Sequence, residues 1–221
     1  MYLHTIVHEL RTPLVSIQGF TSLLAENFQT NLPGEGTKYL ERILSNLSKI
    51  DNLLTDITRL AKVVVNECEF QKVAVRAIIE AALESLAMEI MQNKTQFQIQ
   101  PNLPEIYCDF SAMTQVYTNL LSNAIKYANA RRACQIVLGY REDEIFHKFF
   151  VQDNGVGIRA KDRDKVFNLF SRLHNKNNVQ GSGIGLAIVK RIIQGHGGEI
   201  WVDSRKNKGT TIFFTLPKRS P

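Results

Sequence analysis

Asn119-Leu120-Leu121-Ser122-Asn123-Ala124-Ile125-Lys126-Tyr127 sits in a helical period that runs over residues 110–128. Four-residue spacing puts Asn119 and Asn123 on one face of that helix. Their amide carbonyls are hard oxygen ligands of the kind Mg2+ takes, with Asn123 as the metal ligand, and neutral amides do not repel a polyphosphate. Lys126 and Tyr127 follow one turn later, where an ammonium and a hydroxyl reach phosphate or ribose. A plain solvated helix face is the competing reading of this stretch taken alone.

Downstream, the apolar run Phe149-Phe150-Val151 reads as a strand leading into Asp153-Asn154-Gly155-Val156-Gly157-Ile158. A carboxylate at the strand end can accept a hydrogen bond from an adenine amino group. Gly155 and Gly157 let the backbone approach a base without a Cβ clash. Asn-Gly is also a strong turn signal, so a simple β-turn competes. Next, Gly181-Ser182-Gly183-Ile184-Gly185-Leu186 precedes a helical period over 184–195, and free N–H groups at a helix start favour anions. This loop lacks the closing Lys-Ser/Thr of a P-loop and follows no strand, so neither a P-loop nor a dinucleotide fingerprint applies. Residues 159–183 read as a lid, with Phe167 and Phe170 anchoring its start and Arg172 reaching phosphate.

Before the asparagine motif, the first 66 residues read as two helices. Leu3, Val7, Leu10, Leu14, Ile17, Leu24 and Phe28 make an apolar stripe interrupted by Thr21. Pro33, Gly34 and Gly36 mark a turn within 27–36. The second stripe runs Leu40, Ile43, Leu47, Ile50, Leu54, Ile57, Ala61 and Val64. Two such helices cannot bury both stripes against each other, whereas two copies paired into a four-helix bundle can. A homodimer is expected.

His8-Glu9-Leu10-Arg11-Thr12-Pro13 lies on the first helix, with His8 beside the stripe rather than on it. A neutral imidazole is a nucleophile near pH 7. Glu9 can hold the second ring proton or act as base, and Thr12, one turn away, can position a water. Pro13 lacks an N–H and should bend the helix just after the nucleophile. His4 and His8 have a helical metal-binding spacing, but no third ligand supports it.

The 221 residues suffice for one or two domains, and 44% hydrophobic with 22% charged residues is ordinary globular composition. No apolar run approaches the roughly 20 residues of a membrane span, and no signal-peptide pattern opens the chain. No membrane contact by this segment is expected. Cys68, Cys108 and Cys134 are far apart and read as reduced thiols of a cytoplasmic protein. The net charge of +6 falls entirely in residues 67–221, scattered without a basic stripe. A site for a polyanionic nucleotide explains it better than nucleic acid.

Together the motifs supply a nucleophilic imidazole, cation-binding amides, a base-reading carboxylate and a phosphate-cradling loop, enough to move a phosphoryl group from ATP to a histidine. Their order and spacing closely resemble the catalytic core of the sensor histidine kinases of two-component signalling. One small departure is Val7, where that family more often has Ser. The resemblance implies an α+β chain with a dimeric helical hairpin over 1–66 carrying phosphotransfer. An α/β sandwich of the Bergerat ATP-binding type follows over 67–221. It implies autophosphorylation of His8, with ATP and Mg2+, and transfer to an aspartate of a response regulator receiver domain. It also implies that Asn119 stands where related ATPases carry a water-activating glutamate, so direct water attack is slow. A phosphatase-dominant member and an ATP-binding scaffold without transfer remain as rivals. Phe170-Ser171-Arg172-Leu173-His174 and Gly197-Gly198-Glu199-Ile200-Trp201-Val202 resemble the phytochrome-like subset, and any sensor is expected upstream.

Overall fold

A computed structural model describes residues 2–28, 34–65, 69–169, 171 and 183–218. The described residues divide into two compact units, one of residues 2–65 with 183–184 and one of residues 69–171 with 185–218.

In the first unit, α1 spans Tyr2–Phe28 and α2 spans Gly34–Val65. Pro13 lies inside α1 and does not end it. Leu47 and Leu54 of α2 are buried, as is Thr21 of α1. Thr21 is the polar interruption in the stripe, and its Oγ1 donates to the Ile17 carbonyl at 2.6 Å, which satisfies the hydroxyl within the helix. By contrast Leu10, Ile17 and Leu24 stay 50%, 48% and 49% exposed within one chain. Arg11 joins the helices: its Nε lies 3.4 Å from Asp51 Oδ1, and its Nη2 donates to Thr55 Oγ1 at 3.1 Å. Asp51 and Thr55 are one turn apart on α2, so one guanidinium fork spans both.

The second unit opens with β1 (Phe70–Ala74), paired antiparallel with β3 (Glu105–Asp109). A five-stranded sheet has the order β2-β4-β5-β7-β6, from β2 (Gln96–Ile99), β4 (Gln135–Glu142), β5 (Phe146–Asp153), β6 (Ile200–Arg205) and β7 (Gly209–Pro217). β2 and β4 run parallel; the other pairings are antiparallel. Strand alternation turns Ile136, Leu138, Phe149, Val151, Ile212 and Phe214 inward, where they are buried. Helices α3 (Val75–Ser85), α5 (Phe110–Lys126) and α6 (Gly185–Gly195) bring Ile78, Ile79, Val116, Leu121, Ile188 and Ile192 to the same core. Tyr117 meets Phe214 edge-on, with ring centroids 5.8 Å apart, and Phe214 stacks on Phe149 at 5.2 Å.

Between β1 and β2 the chain forms two helices rather than one continuous one. α3 ends at Leu86 (φ −109°, ψ 11°), and α4 spans Ala87–Asn93. No glycine or proline marks the break; Leu86 leaves the helical path and is itself buried. After α6 the chain does not enter β6 until Ile200, because Gly197 takes φ +75° just past the helix end. Cys108 and Cys134 are free and buried, and burial pushes the Cys108 thiol up to about 12.

Buried His196 ties α6 to the end of β3. Its Nε2 accepts the Asp109 N–H at 3.2 Å, and its Nδ1 faces the Ile192 carbonyl at 2.9 Å. Only a neutral imidazole protonated on Nδ1 satisfies both, and burial holds its pKa below the usual histidine range. The Asp109 carboxylate caps α5 by accepting the Ala112 N–H at 2.8 Å.

Candidate nucleotide site

A cleft of about 100 Å3 opens between α5, the inner ends of β5 and β7, and the loop after β5. Its walls are Leu120, Ala124, Val151, Val166 and Ile212, with Asp153 as the carboxylate among them. Strand alternation delivers Val151 and Asp153 from β5 and Thr210 and Ile212 from β7 to the same face. α5 presents Leu120, Asn123, Ala124 and Tyr127 toward them, a helical repeat of three and four.

Asp153 is held on one side only. Its Oδ1 accepts the Gly155 N–H at 2.8 Å and the Thr210 N–H at 3.2 Å. Oδ2 has no bonded partner among the described residues. Burial pushes the carboxyl up to about 6, against the opposing pull of those two N–H groups.

The loop after Asp153 is strapped to protein on every side. Asn154 Oδ1 accepts the Gln135 N–H at 3.0 Å, and its Nδ2 donates to the Ala133 carbonyl at 2.8 Å. The Val156 N–H donates to the Tyr127 carbonyl at 3.0 Å, and the Asn207 N–H donates to the Val156 carbonyl at 2.6 Å. No hairpin joins strands at Asn154-Gly155; the loop is held by these ties, and both glycines also lie against the protein's own backbone. A Cβ on Gly155 would run into the Tyr127 carbonyl. Gly157, at φ +65°, has the Arg205 carbonyl where its Cβ would be.

Asn119 Nδ2 is buried and has no hydrogen-bond partner among the described residues, a cost a native fold rarely leaves uncompensated. A Cβ on Gly185 would sit 3.3 Å from Asn119 Oδ1, so the start of α6 lies close against this amide. α6 begins at Gly185, with Leu186 lining the cleft. Gly183 adopts φ +74° just before it, and Ile184 is buried.

The expected residues therefore fall into groups. Asn123, Tyr127, Asp153, Gly157, Ile158 and Leu186 line the cleft, and Gly155 supports Asp153. Asn119 and Gly185 adjoin each other, whereas Lys126 is exposed and does not line the cleft. Val166 enters the cleft in place of Phe167, because the 3-10 turn Ala160–Lys165 rotates Val166 inward and it is buried there. Phe170, Arg172, Gly181 and Ser182 lie outside the described residues, as do the side chains of His8 and Glu9. Thr12 lies on α1. Leu120, Ala124, Val151, Ser171, Thr210 and Ile212 were not expected in the site. The strand alternation of 210–216 and the three-four repeat around Asn123 were the signals for most of them.

An adenine-sized apolar slot, a half-free carboxylate at its edge and a helix N-terminus beside an orphaned amide suit ATP. Hard amide oxygens suit a metal carried by phosphates. Residues 108–220 match the family model described as histidine kinase-, DNA gyrase B- and HSP90-like ATPase, and residues 2–64 match the His Kinase A (phospho-acceptor) domain. The chain belongs to the sensor histidine kinases. Among curated histidine kinases, it is 37% identical over 219 residues to the methanogenesis regulatory histidine kinase FilI of Methanothrix harundinacea, which covers 98% of this chain and 24% of FilI. It is 32% identical to the sensor histidine kinase WalK of Bacillus subtilis, over 98% of this chain and 36% of WalK. The chain thus spans a quarter to a third of the length of these kinases. The phytochrome-like protein Cph1 of Synechocystis is 30% identical over 95% of the chain. Among solved structures, full-length ShkA in complex with AMPPNP superposes with a TM-score of 0.73 at 24% identity, over all 100% of this chain and 46% of that one. The mycobacterial sensor histidine kinase MprB covers 69% of this chain and 99% of its own, with a TM-score of 0.58 at 26% identity. The histidine kinase fold, a helical unit followed by an α/β sandwich, is that expected from the motifs.

Proposed function

We propose that this chain binds ATP in the cleft, transfers its γ-phosphoryl group to His8, and passes that group to an aspartate on a response regulator receiver domain. The observation that carries the reading is the pairing of Asp153 and Asn123 across one cleft, in a chain whose α1 carries His8-Glu9-Leu10-Arg11-Thr12-Pro13. The domain boundary falls at 66/67, with phosphotransfer before it and nucleotide binding after it.

Within this reading, Asp153 Oδ2 accepts the adenine amino group, and the apolar walls exclude water from the base. Asn119 Nδ2 and the N–H groups at the start of α6 donate to phosphate oxygens. Tyr127 adds ribose or phosphate contacts, Lys126 a more distant positive charge, and Ile158 an apolar wall. Arg172 and the Gly181–Leu186 motif are assigned to the phosphates. Asn123 holds Mg2+, which neutralises phosphate charge when bound. A ring nitrogen of His8 forms a bond to the γ-phosphorus as the bond from that phosphorus to the ADP oxygen breaks. Glu9 takes the proton that the ring loses. Asn119 cannot activate water as a glutamate would, which leaves the phosphoryl group for His8. Thr12 positions a water when phosphate is removed from the regulator.

Half-exposed Leu10, Ile17 and Leu24 on α1 and exposed Ile43 and Ile50 on α2 support a homodimer. No described helix is long and apolar enough to cross a membrane. A cytoplasmic setting, where ATP is supplied, is part of the same proposal. Incubation with radiolabelled ATP tests the reading. The protein should acquire label that is stable to alkali and labile to acid, and His8→Gln should abolish it while ATP binding survives. Label retained in His8→Gln would refute the assignment of His8.

A further inference from the structure

Ser204 is buried on β6, on the strand face that looks toward the nucleotide cleft. A serine hydroxyl has one proton to give and two lone pairs to receive with. Here every one of them is committed. The Ile158 N–H donates to Ser204 Oγ at 2.8 Å. Ser204 Oγ lies 2.8 Å from the Gly209 carbonyl, which can only accept, so the serine proton goes there. The third neighbour is Thr210 Oγ1 at 3.0 Å. With the serine proton already used, the threonine must be the donor in that pair.

This fixes the polarity of Thr210. Its proton points at Ser204, so its hydroxyl offers the cleft lone pairs only. Thr210 lines the cleft next to Asp153, whose Oδ1 its own backbone N–H holds at 3.2 Å. The two side chains thus present acceptors side by side. Such an edge welcomes a base that carries an amino group and repels one that carries a carbonyl at the same place. We propose that Ser204, which touches no ligand itself, is a positioning residue that sets purine selectivity by locking the Thr210 hydroxyl as an acceptor. The inference rests on Asp153 and Thr210 facing the base, as the proposed function requires.

ATP and inosine triphosphate differ where this matters, an amino group in one and a carbonyl in the other. The test is calorimetric titration of the full chain with each nucleotide and Mg2+ at neutral pH. In Ser204→Ala the freed Thr210 hydroxyl can turn and donate. The preference for ATP over inosine triphosphate should fall by about tenfold, the scale of one hydrogen bond reversed. Thr210→Val should narrow the ratio by a similar factor, and the double variant by no more than either single one. A purely structural serine would weaken both nucleotides alike and leave the ratio unchanged, and that result overturns the inference. If Ser204→Ala lacks a cooperative melt, Thr210→Val decides alone, an unchanged ratio again overturning it. Failure of the site reading is distinguishable: the parent would then bind no ATP, or Asp153→Asn would leave the ratio untouched.

Discussion

The two units bury their apolar residues to different degrees. In the nucleotide unit, Val116, Ile188 and Phe214 are 0% exposed, and helices and sheet close over one another within a single chain. In the helical hairpin, Leu10, Ile17 and Leu24 remain about half exposed, and Leu47 and Leu54 are its only buried hydrophobic side chains among the described residues. One unit completes its core from its own sequence; the other leaves an apolar face that a second copy would cover. Nucleotide binding and phosphoryl acceptance therefore rest on separate stability, and substitutions can disturb one without the other.

The strongest way to break this contrast is a charge on the half-exposed face. Ile17→Lys should raise the dimer dissociation constant on the order of 100-fold or more, since each dimer would bury two unpaired ammonium groups. Light scattering should then fall from twice the chain mass of 25.1 kDa to that mass, while ATP affinity stays as in the parent. Leu47→Lys is a different test. Leu47 is buried inside the hairpin, so its replacement should melt α1 from α2 as well as dissociate the dimer.

Asp153 sharpens the contrast from the other unit. Asp153→Asn should weaken ATP and ADP by about 1–3 kcal/mol, because an amide can present N–H to the adenine amino group. The same substitution should stabilise the unliganded protein. The folded carboxyl titrates about 6 against an ordinary 3.8, so the folded state holds the proton more tightly. Stability is highest below the lower value, falls as pH rises through this window, and stays reduced above it. Removing that charge should add on the order of 1 kcal/mol at neutral pH, read as a higher melting temperature of the nucleotide unit. In the parent, ATP affinity should decline as pH drops below about 6, and in Asp153→Asn it should not.

Arg11→Ala should have the smallest effect. The guanidinium is exposed beside Asp51 and Thr55, and such pairs contribute about 0–1 kcal/mol. Urea titration should show the hairpin weakened by no more than that, with the nucleotide unit unmoved.

The motif residues were legible because their chemistry is local. Asn119, Asn123 and Asp153 are polar groups at spacings a helix or a strand end explains without knowledge of the rest of the chain. The strand order and the α3–α4 break were not legible in this way. Leu86 looks like any other apolar helix residue, yet it is buried and leaves the helical path there. Ser204 carries no signal in the sequence, and its importance appears only when Ile158, Gly209 and Thr210 are brought to it from two other segments. Gly155 and Gly157 are an intermediate case. Their positions were evident, but the carbonyls of Tyr127 and Arg205 that exclude a side chain there belong to the tertiary fold.

The two buried cysteines give the nucleotide unit a built-in unfolding clock. A thiol whose ionisation burial pushes up to about 12, as at Cys108, has almost no thiolate at neutral pH and little access to reagent. Alkylation of Cys108 and Cys134 therefore waits for the surrounding structure to open, and its rate counts those openings. ATP held in the cleft should slow that clock in proportion to its occupancy, so a maleimide time course reads ligand binding without any label attached beforehand.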